Sequence, residues 1–237
     1  MSPRKDERIA LVTGSNRGIG LEAARQLAQR GFHSVIASRD ELKGQKVADG
    51  IRRDGGKASV LPLDVNSSES IGTAGRRFET IAGHLDVLIN NAGVYPDAGL
   101  TVLTLPRQRL VETFQTNTFG ALEVTQAFLP HLRGSDGARV VNVSSGYGQL
   151  GGLSDGEPSY SLSKLALNGL TILLAKALQA DHIAVNSVCP GWVRTDMGGP
   201  NATLSVEEGA DAVVWLADEA PHNLTGKFFR NRREISW

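Results

Sequence analysis

Short apolar runs of strand length alternate along the chain with longer segments in which apolar residues recur at helical spacing. The short runs predict strands at residues 9–12, 34–37, 58–63, 87–90, 140–143, 183–188 and 227–229. The longer segments predict helices at 21–30, 40–53, 67–82, most of 105–132, 160–180 and 206–216. This alternation is typical of an α/β fold, and it predicts a doubly wound parallel sheet of about seven strands with helices on both faces.

No linker, internal repeat or low-complexity tract interrupts the pattern, so residues 1–237 are expected to form a single domain. In such a sheet, ligands bind beyond the carboxyl ends of the strands. Side chains that carry chemistry should therefore cluster at those ends.

A glycine-rich turn, TGSNRGIG at residues 13–20, joins the first predicted strand to the first predicted helix. Its residues are Gly14, Ser15, Asn16, Arg17, Gly18, Ile19 and Gly20. Glycines here allow a tight turn and let backbone N–H groups approach a pyrophosphate at the positive end of a helix. The spacing differs from the commoner dinucleotide fingerprint, and a glycine triplet alone is usually only a turn. Its place between a strand and a helix favours nucleotide binding.

Polar residues follow the carboxyl ends of several predicted strands. They are Thr13, Asp64, Asn90, Asn91, Asn142, Ser144, Ser145 and Cys189. Each has an ordinary structural explanation, since Asp64 can cap a turn, Asn90 can brace adjacent strands and a serine can open a loop. Their convergence at one edge of the sheet predicts a functional site there.

Tyr160 and Lys164 stand four residues apart at the start of a long predicted helix, so their side chains should point into one space. A phenol titrates near pH ~10, and bringing its pKa to 7 or 8 takes about 3 to 4 kcal/mol. A cation at ~4 Å contributes about 4 kcal/mol at an effective dielectric of about 20. The pair therefore predicts a tyrosine that exchanges a proton near neutral pH, although tyrosine and lysine are also ordinary helix-surface residues.

Composition narrows the function classes further. Lys+Arg and Asp+Glu both number 25, so no net field recruits nucleic acid or an anionic membrane. Residues 1–8 lack the apolar core of a signal peptide, and no apolar run reaches membrane-spanning length, which predicts a cytoplasmic protein without a membrane partner. The single cysteine, Cys189, excludes an internal disulfide and a cysteine-based metal cluster, and we expect no metal site.

Five motifs in order make the sequence similar to the short-chain dehydrogenase/reductase family across nearly its whole length. They are TGSNRGIG at 13–20, NNAG at 90–93, VNVSS at 141–145, YSLSK at 160–164 and CPGWVRTDM at 189–197. The stretches at 38–40, 190–197 and 234–237 most resemble the carbonyl reductases. The resemblance implies one Rossmann-like domain that binds a dinucleotide and reduces a small-molecule ketone, aldehyde or quinone by hydride transfer.

The resemblance also implies catalytic roles. Tyr160 would be the proton donor, and Lys164 would hold the nicotinamide ribose and lower the pKa of Tyr160. Ser145 would steady the substrate oxygen, although strand alternation lets only one of Ser144 and Ser145 face the cleft. Asn117 would hold a water for proton relay, and its alternative is a polar residue that kinks a helix.

For the cofactor, the resemblance implies contacts from the glycine turn, from Tyr160 and Lys164, and from the ends of later strands. Those further residues are Ser38, Arg39, Asp64, Val65, Asn91, Ala92, Gly93, Pro190, Gly191, Val193 and Thr195. Asp64 would accept from the adenine amino group, and Thr195 would contact the nicotinamide amide. The chain departs from the family in a slightly longer separation of Ser145 from Tyr160, in lacking the long insertion of animal carbonyl reductases, and in a short lid at 198–205.

NADPH is the expected cofactor. A site for NAD usually ends its second strand with an acidic residue, whereas a site for NADP must neutralise a 2′-phosphate. Here Ser38 stands at the acid position, Arg39 follows it, and Arg17 lies in the glycine turn, so two guanidinium groups can converge on one phosphate. Asp40 complicates this reading, and we interpret it as the N-cap of the next helix.

The helix predicted at 160–180 is apolar on nearly every side, and one sheet face cannot cover it. This predicts a homodimer or homotetramer, unless the helix at 105–132 covers the remainder. Two alternative functions stay open: a nucleotide-binding redox sensor or scaffold without turnover, and an NAD-dependent alcohol dehydrogenase working in the oxidative direction.

Overall fold

The computed structural model describes residues 7–237 and contains eight strands and seven α-helices within that range. The strands are β1 (Ile9–Thr13), β2 (His33–Ser38), β3 (Lys57–Pro62), β4 (Val87–Asn90), β5 (Arg139–Val143), β6 (Ala184–Val188), β7 (Phe228–Arg230) and β8 (Arg233–Ile235). The helices are α1 (Gly18–Gln29), α2 (Glu41–Arg53), α3 (Ser68–Phe78), α4 (Arg107–Phe114), α5 (Gly120–Arg133), α6 (Pro158–Ala177) and α7 (Val206–Asp218). A π-helical turn, Gln115–Phe119, joins α4 to α5, and two 3₁₀ turns, Gly146–Gly148 and Leu150–Gly152, precede α6.

All eight strands belong to one sheet in the order β3-β2-β1-β4-β5-β6-β7-β8. Every pairing from β3 to β7 is parallel, and only β7 and β8 are antiparallel. Chain order reverses between β1 and β4, which is the switch point where a crevice opens beyond the strand ends in a doubly wound sheet. The predicted fold class is confirmed.

The central strands are buried on both faces. Along β1, Ile9 and Leu11 pack into one apolar cluster, whereas Ala10 and Val12 pack into another on the opposite face of the sheet. Alternate residues of a strand point to opposite faces, so this split requires helices on both sides. Helices α3 and α5 contribute to the cluster that contains Ile9 and Leu11, and α1 and α7 contribute to the cluster that contains Ala10 and Val12.

The eighth strand is a correction to the expected count of about seven. β8 is a short, largely exposed edge strand whose polar sequence gives no strand signal. It is joined to β7 through Asn231 and Arg232, whose φ angles of 49° and 60° are those of a tight hairpin turn. Such turns usually contain glycine, and this one does not.

Several helix boundaries also differ from the prediction. α3 ends at Phe78 and not at residue 82, and α6 spans Pro158–Ala177, where 160–180 was expected. Proline lacks an N–H, which the first turn of a helix does not need, so Pro158 can open α6. The reading of Asp40 as a helix cap is confirmed, because its side chain accepts from the backbone N–H of Lys43 at 3.1 Å.

Among residues 7–237, no helix combines the length and apolar character that crossing a membrane requires. The N-terminal segment used to predict a cytoplasmic protein lies largely outside the described residues, since residues 1–6 are not part of them.

Candidate active site

Tyr160 and Lys164 lie on one face of the first turns of α6, as their spacing predicted. Both are buried, and the Lys164 Nζ lies 5.7 Å from the centroid of the Tyr160 ring. Lys164 Nζ donates to the backbone carbonyl of Val143, at the carboxyl end of β5, at 2.8 Å. The lysine thus ties the helix to the strand end while its charge stays close to the phenol.

The pKa values of the pair differ from the expectation. Burial raises the pKa of Tyr160 to about 12, against a lowering by its hydrogen bond with Ser145, and burial lowers the pKa of Lys164 to about 8. The prediction that Lys164 brings the Tyr160 pKa to 7 or 8 is therefore wrong for the chain without ligand. Removal from water disfavours the charged form of each group, and this is the largest cause of both changes.

The two serines after β5 point in opposite directions. Ser145 is hydrogen-bonded to Tyr160, and its Oγ also accepts from the backbone N–H of Tyr147 at 3.2 Å. Ser144 is buried against α6, where its Oγ lies 3.4 Å from the backbone oxygen of Lys164. The serine beside the phenol is therefore Ser145.

Asn117 lies in the π-helical turn between α4 and α5, and its side chain is fully engaged. Its Nδ2 donates to the Val94 carbonyl at 2.9 Å and to Ser163 Oγ at 3.0 Å, while its Oδ1 accepts from the Val94 N–H at 2.8 Å. Ser163 in turn donates to the backbone carbonyl of Tyr160 at 2.7 Å. π-Helical turns are frequent at functional sites, and this one inserts the amide between the β4 end and α6.

Gly93 lies between the side chains of Asn117 and Lys164. A Cβ built on it would lie 3.3 Å from Asn117 Oδ1 and 3.5 Å from Lys164 Nζ. The segment after β4 therefore approaches both side chains closely, and Asn117, Lys164, Tyr160 and Ser145 form one continuous group at the ends of β4 and β5.

The glycine turn has the form of an anion site. Gly14 and Gly18 have φ angles of 64° and 56°, which favour glycine. Helix α1 begins at Gly18 with no side-chain cap and no acidic residue in its first turn. Its first N–H groups and the positive end of its dipole are free for a phosphate, so these residues fit the pyrophosphate of a dinucleotide.

Thr13 and Asn91 hold the glycine turn against the end of β4. Thr13 Oγ1 accepts from the backbone N–H groups of Asn91 and Ala92 at 3.0 and 3.1 Å. Asn91 Nδ2 donates back to the Thr13 carbonyl at 2.8 Å and lies 2.3 Å from a Cβ built on Gly20. Neighbouring Asn90 braces β4 and β5 through Asn142 Oδ1 at 2.9 Å, the ordinary role considered for it.

The segment after β6 lies on the other side of the turn. Thr195 Cγ2 would be 3.3 Å from a Cβ on Gly18, so this segment contacts the start of α1. Residues 198–205, expected as a lid, fold back on the same segment: Leu204 N donates to the Trp192 carbonyl at 3.0 Å and its carbonyl accepts from Arg194 N at 2.9 Å. Val193 forms an isolated bridge with Leu204 beside Pro190 and Gly191.

Asp64 follows β3 and is occupied within its own turn. Its Oδ1 accepts from the Asn66 N–H at 3.0 Å, which is the turn-capping role considered for it. Val65, next along the chain, is buried, and its carbonyl would lie 2.6 Å from a Cβ on Gly120 at the start of α5.

Arg17 and Arg39, the two arginines expected to share a phosphate, have no common contact partner among the residues that the structure describes. The Arg17 guanidinium pairs with Asp196 at 2.6 Å, and both side chains are more than 70% exposed. Arg39 is exposed and makes no ion pair within residues 7–237, while Ser38 is buried with its Oγ donating to the Asp40 carbonyl at 3.0 Å. Arg39 is thus the cation available beside the end of β2.

Tertiary structure adds residues that the sequence pattern did not single out. The rings of Tyr95 and Tyr147 meet the Tyr160 ring edge-on, with centroids 4.8 and 6.1 Å away. Asp97 accepts from the backbone N–H of Tyr160 at 2.7 Å. The position of Tyr147 two residues after Ser145 is a signal that could have found it, whereas Tyr95 and Asp97 have none. No cluster of metal-binding side chains occurs in the described part of the chain.

Comparison with known proteins agrees with this geometry. The family model described as short chain dehydrogenase matches residues 8–203. A (+)-neomenthol dehydrogenase of Arabidopsis thaliana is 35% identical, with 97% of each chain covered. The NADPH carbonyl reductase 1 of Bos taurus is 33% identical over an alignment of 279 residues that covers 97% of this chain and 98% of the relative. An alignment of that length exceeds the 237 residues present here, so the bovine protein contains residues with no counterpart in this chain.

A solved structure of an NADPH-bound carbonyl reductase from chicken fatty liver superposes with a TM-score of 0.86 at 27% identity, covering 98% of this chain and 99% of the other. The sheet order, the glycine turn and the match over most of the chain lead to one assignment. The chain belongs to the short-chain dehydrogenase/reductase family and is an oxidoreductase of that family, which binds a nicotinamide cofactor.

Proposed function

We propose that the protein reduces the carbonyl group of a ketone, aldehyde or quinone to the alcohol, with NADPH as cofactor and Tyr160 as proton donor. The observation that carries this proposal is the continuous group of Ser145, Tyr160, Lys164 and Asn117 beside an uncapped helix N-terminus. When bound, the nicotinamide supplies the hydride. The protein aligns the carbonyl with the acid and stabilises the oxygen as charge develops on it.

The protonation state of Tyr160 is the one that the reductive direction requires. A phenol with a pKa of about 12 keeps its proton throughout the neutral range and is ready to donate it. Ser145 is hydrogen-bonded to the same phenol, and its single hydroxyl proton can turn to the substrate oxygen when the phenol donates its own proton there. Asn117 and Ser163 fix the main chain behind Tyr160 and so limit its movement.

The walls beside Tyr160 favour uncharged, apolar substrates. Tyr95 and Tyr147 flank the Tyr160 ring, and burial raises the pKa of Tyr95, so the Tyr95 hydroxyl stays uncharged in the neutral range. Aromatic rings offer apolar area and stacking to a flat or cyclic carbonyl compound. The names of the relatives, a (+)-neomenthol dehydrogenase and carbonyl reductases, support the same class.

The direct test is to follow cofactor absorbance with a panel of quinones, diketones and aldehydes, and with the corresponding alcohols in reverse. Turnover of a panel carbonyl with NADPH supports the proposal. Cofactor binding without turnover in either direction would instead favour the redox sensor or scaffold, and turnover of alcohols with NAD alone would favour the oxidative dehydrogenase.

NADPH is proposed over NADH because Arg39 stands free beside Ser38, where an acid would otherwise bond the ribose hydroxyls. Arg17 can join it, since an exposed ion pair such as that with Asp196 is worth only about 0.2 to 1 kcal/mol and a phosphate can displace it.

We expect the double change Ser38→Asp with Arg39→Leu to reverse the cofactor preference. The new carboxylate repels the 2′-phosphate and can bond the ribose hydroxyls, and the cation that pairs with the phosphate is gone. The ratio of kcat/KM for NADPH to that for NADH should fall on the order of 10²-fold or more, in line with the loss of a charge-assisted pair. Arg53→Leu, an exposed arginine at the end of α2, is the control. Equal kcat/KM for the two cofactors in the unmodified protein would contradict the assignment.

The depressed pKa of Lys164 predicts how stability changes with pH. Between pH 8 and 10, the unfolded chain keeps a proton on this lysine that the folded chain has lost, so raising the pH favours the folded state. We expect Lys164 to add on the order of 2 kcal/mol to the free energy of unfolding across this window. Urea denaturation at both pH values should show the rise in the unmodified protein and lose it in Lys164→Met. A rise of equal size in the variant would assign the effect to other groups.

We also propose a homo-oligomer formed through the face of α4, the π-helical turn and α6. Helix α4 packs on α6 but leaves large apolar side chains in solvent: Val111, Phe119, Leu162 and Leu173, the last 66% exposed. Exposed apolar clusters of this kind mark interaction sites, and the family commonly pairs these helices across a two-fold axis.

Leu173→Asp should dissociate the oligomer, because a carboxylate would be buried at the centre of the paired helices without a partner. Sedimentation at micromolar concentration should report the monomer mass. Leu42→Asp is the matched control, since Leu42 is 77% exposed on α2 at the other end of the sheet, and it should leave the assembly intact. A monomer mass for the unmodified protein would reject the oligomer.

A further inference from the structure

Asp97 is a buried carboxylate in the segment between β4 and α4, and only 1% of its surface is exposed. Its Oδ2 accepts from the backbone N–H of Tyr160 at 2.7 Å, and its Oδ1 accepts from the hydroxyl of Ser159. The Ser159 hydroxyl lies 2.9 Å from Thr113 Oγ1 on α4. One carboxylate therefore connects the segment after β4, helix α4 and the first turn of α6.

No neighbouring side chain caps the start of α6, so the Asp97 carboxylate can accept a hydrogen bond from an N–H of the first turn. Glu157, the residue before the helix, has a left-handed φ of 48° and makes no side-chain cap. A helix leaves its first N–H groups without partners, and an acidic acceptor there also interacts favourably with the positive end of the dipole. Asp97 supplies that acceptor from 63 positions away, directly to Tyr160.

Burying a charge among uncharged donors is costly unless each oxygen is well bonded. Both oxygens of Asp97 are bonded, and the segment that carries it is fastened to the segment before α6 elsewhere. Tyr95 is hydrogen-bonded to Glu157, and Val102 N donates to the Asp155 carbonyl at 2.9 Å. Tyr95 also meets the Tyr160 ring at 4.8 Å, so one short segment contacts both the ring and the main chain of that tyrosine.

We propose that Asp97 is a positioning residue that holds the main chain of Tyr160 and thereby aims its phenol toward Ser145 and the substrate oxygen. The inference rests on the proposed function, in which Tyr160 donates the proton. Asp97 acts through the Tyr160 N–H, and a small shift of that backbone displaces the phenolic oxygen at the far end of the side chain.

Two variants at this position separate the hydrogen bond from the charge. In Asp97→Asn, the amide oxygen can still accept from Tyr160 and the NH₂ can donate to Ser159, whose hydroxyl can turn to Thr113. Asp97→Ala removes the acceptor. We expect kcat to fall on the order of 10²-fold in Asp97→Ala, because a misplacement of about 1 Å has that effect, and to fall less than about tenfold in Asp97→Asn. NADPH affinity and substrate KM should change little in either variant.

Asp155→Ala is the matched control. It removes a carboxylate from the neighbouring segment, where the side chain is exposed and only the backbone carbonyl is used. Its kcat should equal that of the unmodified protein. Thermal unfolding of all three variants shows whether loss of kcat accompanies a general loss of fold.

Amide hydrogen exchange at Tyr160 provides a readout that needs no turnover. The Tyr160 N–H should exchange on the order of tenfold faster in Asp97→Ala, and measurably faster in Asp97→Asn, because a charged acceptor forms the stronger bond.

Normal kcat or unchanged exchange in folded Asp97→Ala would overturn the inference even if the carbonyl panel and Tyr160→Phe support the proposed function. If Asp97→Ala does not fold, exchange in Asp97→Asn decides: faster exchange supports the inference, and unchanged exchange overturns it. If the unmodified protein shows no turnover but exchange is faster in the variants, the proposed function is rejected, and with it the catalytic role of Asp97. The hydrogen bond between Asp97 and the Tyr160 N–H would still be supported.

Discussion

Changing Tyr160→Phe should reduce kcat for carbonyl reduction by about 10²- to 10⁴-fold, the range that a positioned general acid contributes. The substitution removes the phenolic hydroxyl and its hydrogen bond with Ser145, and it keeps the ring that packs edge-on against Tyr95 and Tyr147. The fold and the affinity for NADPH should therefore be preserved. Steady-state kinetics together with a fluorescence titration of NADPH would check both expectations.

Tyr147→Phe is a matched comparison, because it removes the same group from a ring 6.1 Å away. Its effect on kcat should stay within about tenfold, since it deletes a neighbouring hydroxyl and not the acid itself. A Tyr160→Phe variant that still turns over at a comparable rate would exclude Tyr160 as the proton donor.

Gly148→Ala should damage both stability and turnover. A Cβ at this position would lie 2.7 Å from the carbonyl carbon of Lys164 and 2.9 Å from its oxygen, which belong to the backbone of α6 and cannot rotate away. The 3₁₀ turn Gly146–Gly148 would have to separate from the helix, although Asn168 Nδ2 also holds it through the Gly148 carbonyl at 3.0 Å. We expect the free energy of unfolding to fall by about 1 to 3 kcal/mol, as for other overpacked sites.

Turnover should fall in the same variant, because Ser145 immediately precedes that turn and would move away from Tyr160. A decrease in kcat on the order of 10²-fold is expected for a misplacement of about 1 Å. Urea denaturation and steady-state kinetics measure the two effects.

Gly151→Ala is the control, since a Cβ there has nothing within 4 Å and the residue lies in the following 3₁₀ turn. Its stability should stay within about 0.5 kcal/mol of the unmodified protein. Equal stability and kcat for Gly148→Ala and the unmodified protein would show that the turn and α6 are not in tight contact.

Features that depend on residues close together in the chain were predicted correctly, whereas features that depend on distant residues were not. Strand positions, the glycine turn and the Asp40 cap depend on neighbours a few positions away, and all three are found as expected. The placing of Lys164 beside Tyr160 is equally local, because four residues make one helical turn. The strand β8 was missed because its signal lies in pairing with β7 and not in its own sequence.

The pKa values and ion pairs of the site were the properties that the sequence predicted least well. The spacing of Lys164 from Tyr160 predicts a cation near the phenol but does not predict how deeply the two groups are buried, and burial is the largest cause of the pKa change of both. The ion pair of Arg17 with Asp196, on the segment after β6, was also not predicted from the sequence, and the sharing of a phosphate by Arg17 and Arg39 stays a prediction.

By itself, the sequence determined the order of strands and helices, the family and the residues from which a catalytic group could be drawn, because periodicity and short motifs are properties of neighbouring positions. Only the tertiary structure decided that Ser145 and not Ser144 faces Tyr160, and that Gly148 packs against Lys164. It alone also decided that Asp97 caps the helix carrying the tyrosine. These contacts join residues that lie far apart in the chain, so they exist only after the β4, β5 and α6 segments have packed together.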